Sequence, residues 1–351
     1  MSTVASVVVD LVELKFDKPL GGSGVTGVDI VFAEVKDSDG RAGLGFSYVI
    51  GGGAGARIAS LAQTLAGQFL AGKPCKPPAE HWADIKKSFN RTGDGPNLLA
   101  LAALDVANWD LKAHQDGVPL CVALGGAPAP VPVYASGGFS PAAPPEASAE
   151  LAARYVAQGY RGVKPRVNVV PEDARVLAAV RRAIGDTAQL MTDANEKGSV
   201  DAAVRLLECA ADQGAAFVEE PLPSGDVLGY RALAALAGAT PIATGEHMQG
   251  HDRFVAAMAD GYARYIQPDL AMAGGLTPAL AVARHAAAHG IVVAPHFLPG
   301  LFVHLAGSFG GELLLEEFPL IESALEGWPP LDSGGTMTPL AAIGHGLRRK
   351  R

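Results

Sequence analysis

Cysteine is scarce. Cys75, Cys121 and Cys209 are the only three in 351 residues, and no CxxC pair occurs. A disulfide framework and a thiolate zinc site are therefore not expected, and the scarcity fits a reducing compartment. Basic charge is in deficit: 28 Lys and Arg face 36 Asp and Glu, a net charge of −8. Proteins that grip phosphate backbones carry a basic face, so nucleic acid is not an expected partner. Uninterrupted apolar stretches are also missing. The uncharged run Gly290–Gly311 is broken by Pro295 and Pro299 and reads as a buried strand and loop, not a membrane span. Met1–Phe16 has no basic start and carries Asp10 and Glu13, so no signal peptide is read there. The expectation is a soluble cytoplasmic protein.

Apolar residues make up 49% of the chain, with 43 glycines and 25 prolines. That is ample for a core and implies many short elements with tight connections. The length suggests two domains, or one large barrel with additions. Val4–Phe16 and Gly27–Lys36 read as strands, separated by a flexible loop whose glycines span Gly21–Gly24. Ala56–Ala71 and Asn97–Gln115 read as helices. Gly51–Gly55 lacks the Lys-Ser/Thr of a phosphate loop and reads as a loop entering a helix.

After Val131 the texture changes. Eight apolar, β-branched runs alternate with Ala-rich amphipathic stretches: Val131–Ala135, Arg161–Arg166, Gln189–Asp193, Ala216–Glu219, Pro241–Glu246, Ala263–Asp269, Gly290–His296 and Glu312–Glu316. Alternation of this kind means βα units on a parallel sheet, and eight units favour a (β/α)8 barrel. In such a barrel every strand ends on one face, where active sites lie.

The strand ends carry the chemistry. Lys164, Asp193, Glu219, Glu246, Asp269, His296 and Glu316 each follow or close an apolar run, at intervals of 20 to 29 residues. One βα unit takes about that many residues, so these charges converge on one rim. Any one carboxylate alone reads as a helix N-cap. Six consecutive intervals do not. Asp193, Glu219 and Glu246 come from adjacent strands and repel unless a cation compensates them. Three hard oxygen donors suit Mg²⁺, or Mn²⁺, rather than zinc.

This constellation resembles the enolase superfamily in its mandelate racemase branch. The motifs are Lys164-x-Arg166, Asp193-x-Asn195, Val218-Glu219-Glu220-Pro221, Gly245-Glu246-His247, Pro268-Asp269 followed by Gly274-Gly275-Leu276-Thr277, and Pro295-His296. The segments Ala103–Lys112 and Leu124–Gly126 resemble the family's capping domain. The resemblance implies a TIM-type (β/α)7β barrel at 127–324. An N-terminal α+β capping domain at 1–126 precedes it, and residues 325–351 return to the cap. It implies Asp193, Glu219 and Glu246 as metal ligands, Lys164 as one base and His296 paired with Asp269 as the opposite base. Glu316 would be a protonated donor to the substrate carboxylate. Asn195 and His247 are expected to contact substrate, and Gly21–Gly24 to act as a lid. Many relatives carry Lys or His where Arg166 stands. Arg cannot titrate at working pH, so its fixed charge is expected to lower the Lys164 pKa.

The implied reaction is removal of the proton α to a carboxylate through an enediolate. Dehydration of a sugar acid to a 2-keto-3-deoxy acid is the favoured outcome, and racemisation or epimerisation of a 2-hydroxy acid the alternative. A Schiff-base aldolase using Lys164 and a non-catalytic binding barrel are the readings from other classes. Expected partners are a small hydroxy acid or sugar acid and further copies of the chain, with neither nucleic acid nor membrane.

Overall fold

Three antiparallel strands open the chain: β1 (Val4–Leu20), β2 (Val25–Asp37) and β3 (Ala42–Ile50), paired in that order. A computed structural model describes residues 2–20, 24–236 and 240–350. Helices α1 (Gly55–Phe69), α2 (Pro78–Lys87) and α3 (Gly95–Asp116), then the short α4 (Leu120–Ala123), complete this N-terminal cap. Val31, Ala33 and Val35 of β2 meet Ile58, Ala62, Leu65, Leu101 and Leu104 of the helices in one apolar cluster.

Strand β3 and helix α2 were not among the expected elements. In β3 two glycines occupy the face toward α3. A Cβ on Gly43 would stand 2.2 Å from Ala107 O, and one on Gly45 would stand 2.1 Å from Ala103 O. Helix and sheet touch backbone to backbone there, and glycine at those positions masks the strand pattern. Of the stretch expected to form a lid, residues 21–23 lie outside the described residues.

The barrel runs β4 (Val131–Ala135), α5 (Pro145–Ala157), β5 (Gly162–Val163), α6 (Asp173–Ile184), β6 (Gln189–Leu190), β7 (Thr192–Asp193), α7 (Val200–Asp212), β8 (Val218–Glu219), α8 (Val227–Leu236), β9 (Ile242–Thr244), α9 (His251–Ala259), β10 (Ala263–Ile266), α10 (Leu270–Ala273), α11 (Leu276–Ala288), β11 (Val292–Val293), α12 (Pro299–Phe302) and β12 (Leu315–Glu317). Every pair among these strands is parallel. β6 and β7 are parts of one strand separated by Met191, whose N–H reaches Val163 O. Val293 bridges Leu313, and β12 pairs with β4, so the circuit closes.

After β12 the 3-10 turn Glu322–Ala324 follows and no α-helix among the described residues, which is the (β/α)7β form that the resemblance implies rather than eight full units. After β12 the chain forms β13 (Leu325–Glu326), β14 (Thr336–Met337) and β15 (Arg348–Arg349). Leu325, Met337 and Leu347 pack with Val28, Ile30 and Phe46 of the cap sheet. A buried acid also joins the two parts. Asp105 of α3 accepts the Thr277 N–H at 2.8 Å and the Thr277 hydroxyl at 2.7 Å, tying the cap to the start of α11.

The barrel interior explains how the rim is built. Tyr134, Met191, Phe217, Ala243, Ala294 and Leu314 form its apolar filling. Side chains alternate along a strand, so the next inward position lies two residues on. Those positions include Ser136, Asp193, Glu219, His296 and Glu316. The outward neighbours Val163, Leu190, Val218, Ile242, Ile266 and Val293 pack against the helix ring. One parity thus fills the core below and sets polar groups above it.

His304 carries a prediction about stability. It is fully buried, its Nε2 lies 3.2 Å from His345 O and its Nδ1 has no partner. Burial pushes its pKa down to about 3. The unfolded chain therefore binds more protons than the folded one between pH 6.5 and about 3, and stability falls as pH drops through that window. This residue alone contributes a slope of at most about 1.4 kcal/mol per pH unit there. The melting temperature of His304→Gln, which keeps a donor toward His345 O, should fall less steeply from pH 6.5 to 4.5 than that of the parent. Parallel curves would show that other groups control the acid limb.

Candidate active site

The polar rim opens into a cavity of about 640 Å³ between cap and barrel. Arg166, Asn195, Lys197, Glu246, His247, Asp269 and His296 line its barrel side, and Leu20, Val25, Tyr48, Val49, Ile50 and Leu99 its cap side. Around the ring the carboxylates Asp193, Glu219 and Glu246 stand on or just beyond β7, β8 and β9. Glu316 lies in β12 on the other side. Lys164 beyond β5 and His296 beyond β11 flank Glu316 in the ring order.

Lys164 is 2% exposed. Its ammonium pairs with Glu219 and lies 2.8 Å from Glu316 Oε1. Burial opposes its charge, but those two carboxylates outweigh burial and lift its pKa well above the ordinary lysine value. This reverses the depression expected from Arg166. The reason is geometric: Arg166 faces Asp193 at 3.6 Å and stacks over Phe318 at 5.2 Å, so acids rather than the guanidinium dominate around the amine. A Schiff-base role needs a neutral amine. That chemistry also leaves the ring of carboxylates around Lys164 without a role, and the aldolase reading is set aside.

His296 lies between two acids. Its Nδ1 is 2.8 Å from Asp269 Oδ2 and its Nε2 is 3.0 Å from Glu246 Oε2. Burial alone would lower its pKa, but Glu246 and Asp269 raise it to about 10. Asp269 is also the N-cap of α10, its Oδ1 accepting the Met272 N–H at 2.8 Å. The same carboxylate thus caps a helix with one oxygen and faces His296 with the other.

Glu316 differs from the protonated donor that was expected. It accepts from the Ser136 hydroxyl, from Lys164 and from the Phe297 N–H at 3.1 Å. Burial raises its pKa, but Lys164, His296 and these hydrogen bonds override that and hold it well below the carboxylate range. Glu219 goes the other way. Burial raises it to about 8 although Lys164 opposes this, because Asp193, Glu246 and Glu316 add repulsion. Asp193, Glu246 and Glu316 around this one ion pair leave a surplus of acidic groups.

That surplus, and one orphan atom, test whether the trio suits a cation. Asp193, Glu219, Glu246, Asp269 and Glu316 are buried together, against Lys164, Arg166 and His296. Glu219 Oε2 is held by Lys164 and Gln267, but Glu219 Oε1 is buried with no hydrogen-bond partner. Uncompensated hard oxygens in a dry site fit a hard divalent cation. Each trio member is now turned to a neighbour: Asp193 to Arg166 and Asn195, Glu219 to Lys164, Glu246 to His296.

The described residues bring a different trio within 4.8 Å, Glu196, Glu220 and His247. His247 Nδ1 is 2.7 Å from Glu220 Oε2, and this bond raises the His247 pKa to about 9. Asn195, Glu196, Glu220 and Phe297 all carry positive φ without being glycine. Such backbone persists only where the surroundings over-determine it. Tyr48, Ser136, Glu196 and Gln267 went unnoticed in sequence. Ser136 and Gln267 share the inward parity of the rim and could have been found by it; Tyr48 lies in the cap and carries no such signal.

Two family profiles match the chain: the mandelate racemase / muconate lactonizing enzyme N-terminal domain over residues 7–125 and the enolase C-terminal domain-like fold over 147–351. The chain belongs to this family, the mandelate racemase branch of the enolase superfamily. Among curated relatives it is similar to the L-talarate/galactarate dehydratase of Salmonella typhimurium. The two are 33% identical over 86% of this chain and 77% of the relative. It is also similar to the 3,6-anhydro-alpha-L-galactonate cycloisomerase of Streptomyces coelicolor, with 30% identity over 91% and 88%. The Salmonella typhimurium dehydratase solved with Mg and L-lyxarohydroxamate superposes with a TM-score of 0.92 at 29% identity, covering 99% of this chain and 91% of that one. An L-talarate dehydratase from Polaromonas solved with Mg and L-glucarate gives 0.90 at 30%, covering 100% and 96%. No helix among the described residues is long and apolar enough to cross a membrane.

Proposed function

We propose that this protein is a Mg²⁺-dependent acid-sugar dehydratase, a hydro-lyase that converts a sugar acid into a 2-keto-3-deoxy acid. The observation that carries the reading is the placement of Lys164 and His296 on either side of Glu316, facing the carboxylates of β7, β8 and β9. The dehydratase relatives named above support the same chemistry.

Asp193, Glu219 and Glu246 would hold the cation, which supplies positive charge where the enediolate's negative charge develops. Glu316 and Ser136 face the substrate carboxyl group. Lys164 and His296 divide the proton work. One removes the α-proton, and the other donates a proton to the departing β-hydroxyl, which leaves as water. The enol product then takes a proton at its β-carbon to become the keto acid. Lys164 is an ammonium while Glu219 and Glu316 both face it. When those acids turn to cation and substrate, what lifts its pKa is withdrawn. His296 Nε2 likewise exchanges Glu246 for substrate, while Asp269 keeps Nδ1. Arg166, Asn195 and His247 line the cavity as substrate contacts.

The division of the chain at 126/127, with 325–351 returning to the cap, belongs to the same reading. So do a cytoplasmic location, with which three free cysteines are compatible, and assembly with further copies of the chain. A panel of mono- and diacid sugars with Mg²⁺ in D₂O tests the function. A dehydratase yields 2-keto acid with deuterium at the new methylene. Inverted hydroxy acid labelled at its α-carbon, with no keto acid from any substrate, would make the enzyme an epimerase instead.

A further inference from the structure

We propose that Tyr48, contributed by the cap, is a positioning residue for the His296–Asp269 pair, so that the barrel's base is complete only with β3 seated against it. The inference rests on the acid–base reading above.

Tyr48 is 3% exposed and sits in β3 beside Val49 and Ile50, which line the cavity. Its hydroxyl donates to Asp269 Oδ2 at 2.6 Å. That oxygen is also 2.8 Å from His296 Nδ1. Asp269 Oδ1 is occupied by the Met272 N–H at 2.8 Å. The carboxylate is therefore gripped from three directions, and rotation about its Cβ–Cγ bond would break at least one of these contacts.

Toward the Asp269 carboxylate the phenol acts as a donor. Burial and the neighbouring Asp269 charge raise its pKa well above the usual value, and its oxygen faces the N–H groups of Leu270 and Ala271. Its ring is held as well. Tyr48 packs on Phe297 with centroids 4.8 Å apart, and Phe297 meets the His296 ring at 4.9 Å. Phe297 itself has a φ of +37° and donates its N–H to Glu316. One strand of the cap thus touches both the substrate space and the support of the base. Without the Tyr48 hydroxyl, Asp269 keeps its cap bond to α10 but loses the contact that fixes Oδ2 toward Nδ1.

The test is Tyr48→Phe, which keeps the ring and its packing. Two 2-epimers of one sugar acid are compared, one directing its α-hydrogen toward His296 and the other toward Lys164. Exchange of the α-hydrogen in D₂O is followed by proton NMR. Losing a hydrogen bond to a charged group should slow exchange on the His296 face about tenfold to a hundredfold. Exchange on the Lys164 face should stay within about twofold, and KM within about threefold. Lys164→Ala should show the opposite asymmetry. Equal slowing on both faces, or none, overturns the proposal. A second readout needs no turnover: in ¹⁵N-histidine-labelled protein the His296 Nδ1 resonance should move in Tyr48→Phe. An unmoved resonance also overturns it. If the parent exchanges neither epimer, the acid-sugar reading fails, and the resonance alone decides the role of Tyr48.

Discussion

Glu219→Gln should lower turnover by more than about a thousandfold while leaving a folded barrel. The side chain is fully buried, with Oε2 held by Lys164 and Gln267 and Oε1 without a partner. Glutamine preserves shape but removes the charge on which the proposed cation binding rests. Stability should move the other way. The folded-state pKa of Glu219, about 8, lies above its unfolded value, so ionising it costs stability as pH rises through that range. In excess chelator at pH 8 the variant should melt no lower than the parent, and above it if the charge surplus dominates, the usual exchange of function against stability. Added Mg²⁺ should raise the melting temperature of the parent and not of the variant. Full activity in excess chelator, or equal thermal shifts for both proteins, would overturn the metal assignment.

Asp269→Asn should cut kcat by about three to four orders of magnitude and change KM by less than about threefold. Asparagine is a good N-cap, so α10 should survive. The difficulty lies on the other side of the group. Oδ2 faces two donors, Tyr48 and His296, while Oδ1 faces the Met272 N–H. An amide offers one acceptor and one donor. Either orientation sets an NH₂ against a donor, and the orientation that keeps the helix cap drives His296 into the opposite tautomer. The proton then sits on Nε2, where the substrate needs an acceptor. Steady-state kinetics with a melting curve decides the matter. A loss in kcat below tenfold, in a stable protein, would show that Asp269 serves the helix alone.

The two variants act through contacts of different visibility. The rim residues were recognisable because each follows or closes an apolar run, and several stand two positions beyond an inward apolar residue, as Asp193 beyond Met191, Glu219 beyond Phe217 and Glu316 beyond Leu314. That spacing is local, and it recurs with the period of the βα unit. The rhythm alone counts eight units, whereas the family resemblance gives the (β/α)7β form that is found; after β12 come short strands, of which β14 pairs with β4 of the barrel. β3 was missed because Gly43 and Gly45 stand where apolar residues would mark a strand. Their small size answers to α3, more than 50 residues away in the chain.

What the chain determined by itself is the order of strands, the parity of their side chains and therefore which residues crowd one rim. Alternation and helical spacing are properties of neighbours, and neighbours are written in order. What only the tertiary structure decided is the partner that each charge takes. Tyr48 meets Asp269 across 221 positions, Ser136 meets Glu316 across 180, and Lys164 meets Glu219 across 55. In a buried site the balance between desolvation and these distant partners sets the charge of a group. Hence Glu219 and Glu316 push the Lys164 pKa up while Lys164 and His296 pull that of Glu316 down, directions that the motif alone does not give.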